Sequence, residues 1–164
     1  MAKLTKQEIK EHNIAVELLK KDVLTYEEKI TVFEKFYESA TSVNSEAGAF
    51  FTPHDLANDF SLNIYDKAKT IDLCAGIGML AFAAYHYRDY TDITCVELNP
   101  IYVEVGKKLL PEAKSLNQSI FVYKEFGHFD QAISNPPFVK IKTGINQELK
   151  DELSYKGAGF HLIK

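Results

Sequence analysis

Apolar positions Leu4, Ile9, Ile14, Leu18 and Leu19 recur among lysines and glutamates at near-helical spacing, which predicts an amphipathic helix over 4–22. A second helix is predicted over about 25–42. Thr25 and Glu28 offer a capping box at its start, and Ile30, Phe33, Phe36 and Tyr37 form its apolar side. A polar break, "SVNSEAGAF", follows. Thr52 as N-cap, Pro53 at the first helical position and Asp55 then predict a third helix over 53 to about 64. Phe50 and Phe51, just ahead of it, read as a hydrophobic anchor. From residue 70 the pattern changes to short apolar runs separated by helical stretches: "TIDLCA", "MLAFAAYHY", "DITCVEL", "PIYVEVGKKLL", "SIFVYKE" and "FDQAIS". In order these read as strand, helix, strand, helix, strand, strand. Such alternation implies parallel strands joined by right-handed crossovers, with helices on both faces of the sheet. The expected class is α/β, with about four parallel strands behind N-terminal helices.

Composition narrows this picture. The 164 residues are 46% hydrophobic and 26% charged, as in ordinary globular domains. No apolar run approaches the roughly 20 residues that span a bilayer, and the opening "MAKLTKQEIKEHN" has no signal-peptide core, so a cytoplasmic protein without membrane attachment is expected. Cys74 and Cys95 are far apart and the five histidines are scattered, so reduced thiols and no metal site are expected. The net charge of -4 argues against holding nucleic acid by overall field. Its distribution is uneven: 14 Lys/Arg face 20 Asp/Glu up to residue 137, and 5 face 3 beyond it. An anionic partner would meet the C-terminal part.

Three strand ends carry candidate chemistry. In "DLCAGIGML", Asp72 closes the first strand, and Gly76 and Gly78 make a tight turn into a helix that lets a ligand approach the backbone. Gly76, Gly78 and Ala81 also satisfy the dinucleotide fingerprint, which keeps a nicotinamide cofactor open. Glu97 ends the second strand in "CVELNP", 19 residues past Gly78, where an acid can accept from both hydroxyls of a ribose. In "AISNPPFVK" the prolines stop the strand and force Asn135 into extended geometry at its carboxyl edge. The Asn135 amide and the Pro136 carbonyl then offer two acceptor oxygens, a match for a planar amino group, and Phe138 offers a face for stacking a flat ring.

"SNPPF" resembles motif IV of the adenine-N6 DNA methyltransferases, particularly those similar to type I restriction-modification methylase subunits. "FFTPHDLA" resembles the family's motif X segment, "DLCAGIGML" its motif I and "VELNP" its motif II, in that order, over residues 47–140. The resemblance implies S-adenosyl-L-methionine as cofactor and a Rossmann-like methyltransferase domain. Phe51 and Thr52 would line the cofactor's methionine end, Asp72, Gly76 and Gly78 would hold that end, and Glu97 would take the ribose. Glu125, at the end of the third predicted strand, stands where the family has an aspartate near the cofactor's adenine. The implied reaction transfers a methyl group to an adenine flipped out of double-stranded DNA, with Asn135, Pro136 and Phe138 as the catalytic group and no metal.

Such domains normally have seven strands, and four are predicted here. The expectation is therefore a helical segment over 1–46 and a methyltransferase domain over 47–164 that is incomplete at its C-terminal end, apparently truncated after the Asn-Pro-Pro-Phe motif. A completing or specificity chain would be a partner. An rRNA or protein-glutamine N-methyltransferase, or a non-catalytic S-adenosylmethionine-binding remnant, are the alternative readings of the same motifs.

Overall fold

The computed structural model describes residues 4–37, 51–88 and 92–136. Two capping boxes start the N-terminal helices α1 (Lys6–Leu18) and α2 (Tyr26–Lys35). The Thr5 and Thr25 hydroxyls accept from the amides of Glu8 and Glu28, whose carboxylates accept from the threonine amides in return. Helix α1 is shorter than the predicted 4–22, and Leu19–Asp22 turn out of it.

Helix α2 stops at Lys35 rather than near residue 42, because Phe36 is extended (φ −85°, ψ 103°). That geometry buries the Phe36 ring 4.9 Å from His12 and 6.2 Å from Phe51, a tertiary gain that outweighs helix continuation. The Tyr37 amide donates to His12 Nδ1 and its hydroxyl to Glu11, tying the end of α2 to α1. Residues 38–42 of the predicted helix lie outside the described residues.

The predicted third helix is α3, His54–Ser61. Pro53, not Thr52, is its N-cap, and no side chain caps it. Helix α3 also ends short of residue 64.

The sheet has the order β3-β2-β1-β4, all parallel: β1 Thr70–Leu73, β2 Ile93–Glu97, β3 Lys114–Asn117 and β4 Gln131–Ser134. Helix α4 (Met79–Arg88) joins β1 to β2, and α5 (Pro100–Leu109) joins β2 to β3. The fold is the expected α/β, Rossmann-like one. Its third strand, however, is the polar "KSLN", not "SIFVYKE". Among the described residues β3 is an edge strand paired with β2 alone, Glu97 opposite Asn117, and its outer residues Lys114 and Asn117 are exposed. The apolar run after it stays irregular and sends Tyr123 and Ile120 onto Ile71 and Val96.

Helices were expected on both faces of the sheet. Among the described residues, all five helices instead serve one core, and the Ile71–Val96 face is covered by the segment carrying Leu116, Ile120, Tyr123 and Phe129. Helix α4 is the centre of the main core: Met79 to Ala84 are all buried, as suits a helix enclosed on every side. Its Phe82 ring lies 4.9 Å from Phe33 and 5.7 Å from Tyr26, which brings the α2 layer onto the sheet. No helix among the described residues is long and apolar enough to cross a membrane.

Candidate functional site

The site is built from strand ends that parallel topology brings to one edge. After β1 the backbone reverses through left-handed geometry at Cys74 (φ 59°), Gly76 (φ 58°) and Gly78 (φ 91°). An L-residue pays roughly 1–2 kcal/mol there, which glycine avoids. Cys74 bears that strain, with its amide neighbour secured: the Ala75 N–H donates to the Val96 carbonyl at 3.0 Å. At Gly76 a second reason applies, since a Cβ would stand 3.2 Å from the Phe51 ring. Beside Gly78 nothing lies within 4 Å.

Phe51 combines two readings. Its ring is wedged against Gly76 and meets Tyr102 edge-on at 5.0 Å, so it anchors the segment before α3. It also forms a wall of a shallow cleft shared with Thr52, Asp72, Cys74, Gly76, Met79 and Asn135. Thr52 does not cap α3; its Oγ1 accepts from Asn135 Nδ2 at 3.0 Å across the cleft.

Asp72 is 1% exposed, and neither carboxylate oxygen makes a full hydrogen bond; only the nearby Ala81 amide offers a weak one. Burial pushes its carboxyl up to about 8; the Ala81 amide in the first turn of α4 opposes this and the Glu97 charge adds to it. Burial likewise drives the Cys74 thiol up to about 11, so it is not a nucleophile at neutral pH.

Glu97 sits across the turn, with both carboxylate oxygens engaged. Its Oε2 accepts from the Gly76 amide at 2.8 Å and its Oε1 from the Asn99 amide at 2.7 Å. Burial raises its pKa while the amides of Asn99, Gly76 and Leu98 hold it down. Asn99 in turn caps α5, with Oδ1 accepting from the Ile101 amide at 2.9 Å and Pro100 following as the first helical residue. Each Glu97 oxygen keeps a second lone pair, so a diol can still be accepted.

The structure thus gathers Phe51, Thr52, Asp72, Gly76 and Asn135 around one cleft, with Gly78 and Glu97 lining a hollow on the other side of the turn. Glu125 is not at a strand end. It is exposed, just before a short 3-10 turn (Phe126–His128), because β3 closes at Asn117. Pro136 follows Asn135 in the chain and does not line the cleft, and Phe138 lies outside the described residues. Sequence reading passed over Cys74, whose only signal was its place between a strand end and a glycine turn.

The family model of the methyltransferase small domain matches residues 38–158. The chain belongs to that family. S-adenosyl-L-methionine is the cofactor that goes with such a methyltransferase domain. One solved structure agrees on the fold, and two others are more distant. A candidate RNA methyltransferase of Pyrococcus horikoshii, PH1948, is 22% identical, with a TM-score of 0.53 over 70% of this chain and 61% of its own. Protein 1320 of Thermoplasma acidophilum is 16% identical, with a TM-score of 0.45 over 82% and 58%. A mutant of MtNAS solved with S-adenosylmethionine is 14% identical, with a TM-score of 0.48 over 79% and 48%. The methyltransferase chain spans less than two thirds of the length of each of these structures. No curated protein matches it significantly.

Proposed function

We propose that this chain carries the cofactor cleft and acceptor edge of an adenine-N6 DNA methyltransferase. What supports the reading most is one convergence: the Asp72 carboxylate, which makes no full hydrogen bond, and the Asn135 amide, from β1 and β4, line the same cleft beside the glycine turn. A buried acid so weakly held fits a ligand that brings its own cation. The ammonium at the methionine end of S-adenosylmethionine supplies one, and Glu97 retains lone pairs for the ribose hydroxyls. Bound there, the cofactor offers an electrophilic methyl group.

The rest of the chemistry belongs to the chain. An adenine amino nitrogen has its lone pair delocalised into the ring. Accepting its two N–H bonds at Asn135 Oδ1 and the Pro136 carbonyl holds the nitrogen nearer tetrahedral and aims its lone pair. Positioning and electrostatics then do what a strong base would otherwise be needed for. Phe138 is assigned to stack on the flipped base. Duplex DNA is the proposed partner, with a further chain supplying sequence recognition.

The test is methyl transfer from labelled S-adenosylmethionine to unmethylated duplex DNA, RNA and protein, each offered to wild type and Asn135→Ala. Label on N6 of adenine in DNA, lost by on the order of 10²–10³-fold in Asn135→Ala with cofactor affinity kept, is the expected result. Label on RNA or protein alone, or an active Asn135→Ala protein, overturns the assignment.

A further inference from the structure

Phe51 lies in neither helix nor strand, so no ladder of backbone hydrogen bonds fixes where its ring stands. Packing does that. One edge of the ring lies against Gly76, where even a Cβ would come within 3.2 Å, and Tyr102 of α5 meets it at 5.0 Å with the ring planes 73° apart. A further neighbour is Phe36, its centroid 6.2 Å away and its plane tilted by 44°. Phe36 also meets Tyr102, at 6.4 Å and 84°, so the three rings close a triangle of aromatic pairs. Of the three, Phe51 alone walls the cleft beside Asp72 and Asn135.

Phe36 is itself held by the N-terminal helices. Its amide donates to the Val32 carbonyl at 2.9 Å, its ring packs 4.9 Å from His12, and Tyr37, next in the chain, is tied to His12 and Glu11 of α1. At 6% exposure the ring has no room to withdraw. A smaller side chain here opens space beside Phe51, and a ring without a backbone ladder behind it can turn into that space. The cleft would then lose a wall without any change to a residue that lines it. We propose that Phe36 is a positioning residue for the cofactor cleft: it keeps the Phe51 ring against Gly76, and so makes the N-terminal helices part of the binding machinery rather than a cover over the sheet. That this cleft takes S-adenosylmethionine rests on the function proposed above; the packing of Phe36 on Phe51 does not.

The test is calorimetric titration of the intact chain with S-adenosylmethionine in wild type, Phe36→Leu, Phe51→Leu and the double variant, each at a temperature where circular dichroism shows it fully folded. Phe36→Met replaces Phe36→Leu should that variant fail to fold. Phe36→Leu is expected to weaken binding about fivefold, the scale of one aromatic pair, and Phe51→Leu to weaken it at least as much. In the Phe51→Leu background the change at Phe36 should add less than about twofold, because the ring it acts through is gone. A merely structural Phe36 would lower the melting temperature and leave the affinity of the folded chain alone. Wild-type affinity in Phe36→Leu, beside a weakened Phe51→Leu, therefore overturns the positioning role. Equal losses from the Phe36 change in both backgrounds overturn it too, since they put its action elsewhere than on Phe51. A wild type that does not bind S-adenosylmethionine, or a Phe51→Leu protein that binds it undiminished, overturns the reading of the cleft and the positioning role with it.

Discussion

The ends of β1 and β2 carry one acid each, on either side of the same glycine turn, and the fold treats them in opposite ways. Each Glu97 oxygen is held by a backbone amide, of Gly76 or of Asn99, while Asp72 is more deeply buried and makes no full hydrogen bond. The difference separates two tasks. Glu97 builds the site before any ligand arrives by fastening the turn to the start of α5. Asp72 leaves a deficit that a ligand can relieve, and that deficit makes the free protein less stable than its packing alone would allow.

Removing Glu97 should have the largest effect on this contrast. Glu97→Ala leaves the Gly76 and Asn99 amides without their charged acceptor, and a loss of about 2–3 kcal/mol is expected in denaturant unfolding, with cofactor binding lost alongside. A Glu97→Ala protein of wild-type stability would mean the turn holds itself.

Asp72→Asn should act in the other direction. Burial raises the folded-state pKa from 3.8 to about 8, so between those values the folded chain keeps a proton that the unfolded chain has released. Stability contributed by this group is full below pH 3.8 and is lost as pH rises to about 8. The asparagine variant lacks that slope. At pH 8 and above it should be more stable than wild type while binding S-adenosylmethionine at least tenfold more weakly. Parallel stability curves for the two proteins across this window would break the comparison.

The smallest effects lie in the turn between the acids. Gly76→Ala combines left-handed strain with a 3.2 Å approach to Phe51, whereas Gly78→Ala bears strain alone, its Cβ meeting open space. Thermal unfolding should show a cost of about 1–2 kcal/mol for Gly76→Ala and about 1 kcal/mol for Gly78→Ala. Equal costs would show that Phe51 yields without penalty.

Much of the architecture was legible because its determinants are local. The strand, turn and helix from Thr70 to Arg88 follow from a short apolar run, two glycines and an apolar helical stretch, and the box at Thr25 follows from hydroxyl and carboxylate three residues apart. Three features escaped local rules. The strand at Lys114 is short, polar at both ends and without apolar alternation, so it is recognisable only by its register with β2. The end of α2 is set by where Phe36 finds its aromatic neighbours. Thr52 has the chemistry of an N-cap, and only the position of β4 turns its hydroxyl to Asn135 instead.

The sequence by itself determined the order of strands and helices, the tight turn at Gly76 and Gly78, the acids near the ends of β1 and β2, and the proline stop at Asn135. These rest on steric and hydrogen-bonding preferences acting over a few residues. The tertiary structure decided that Glu97 would be satisfied and Asp72 left wanting, that Glu125 would stand away from the cleft, and that Thr52 would face Asn135. Burial and pairing across more than twenty residues are properties of the packed sheet, and no local spacing encodes them.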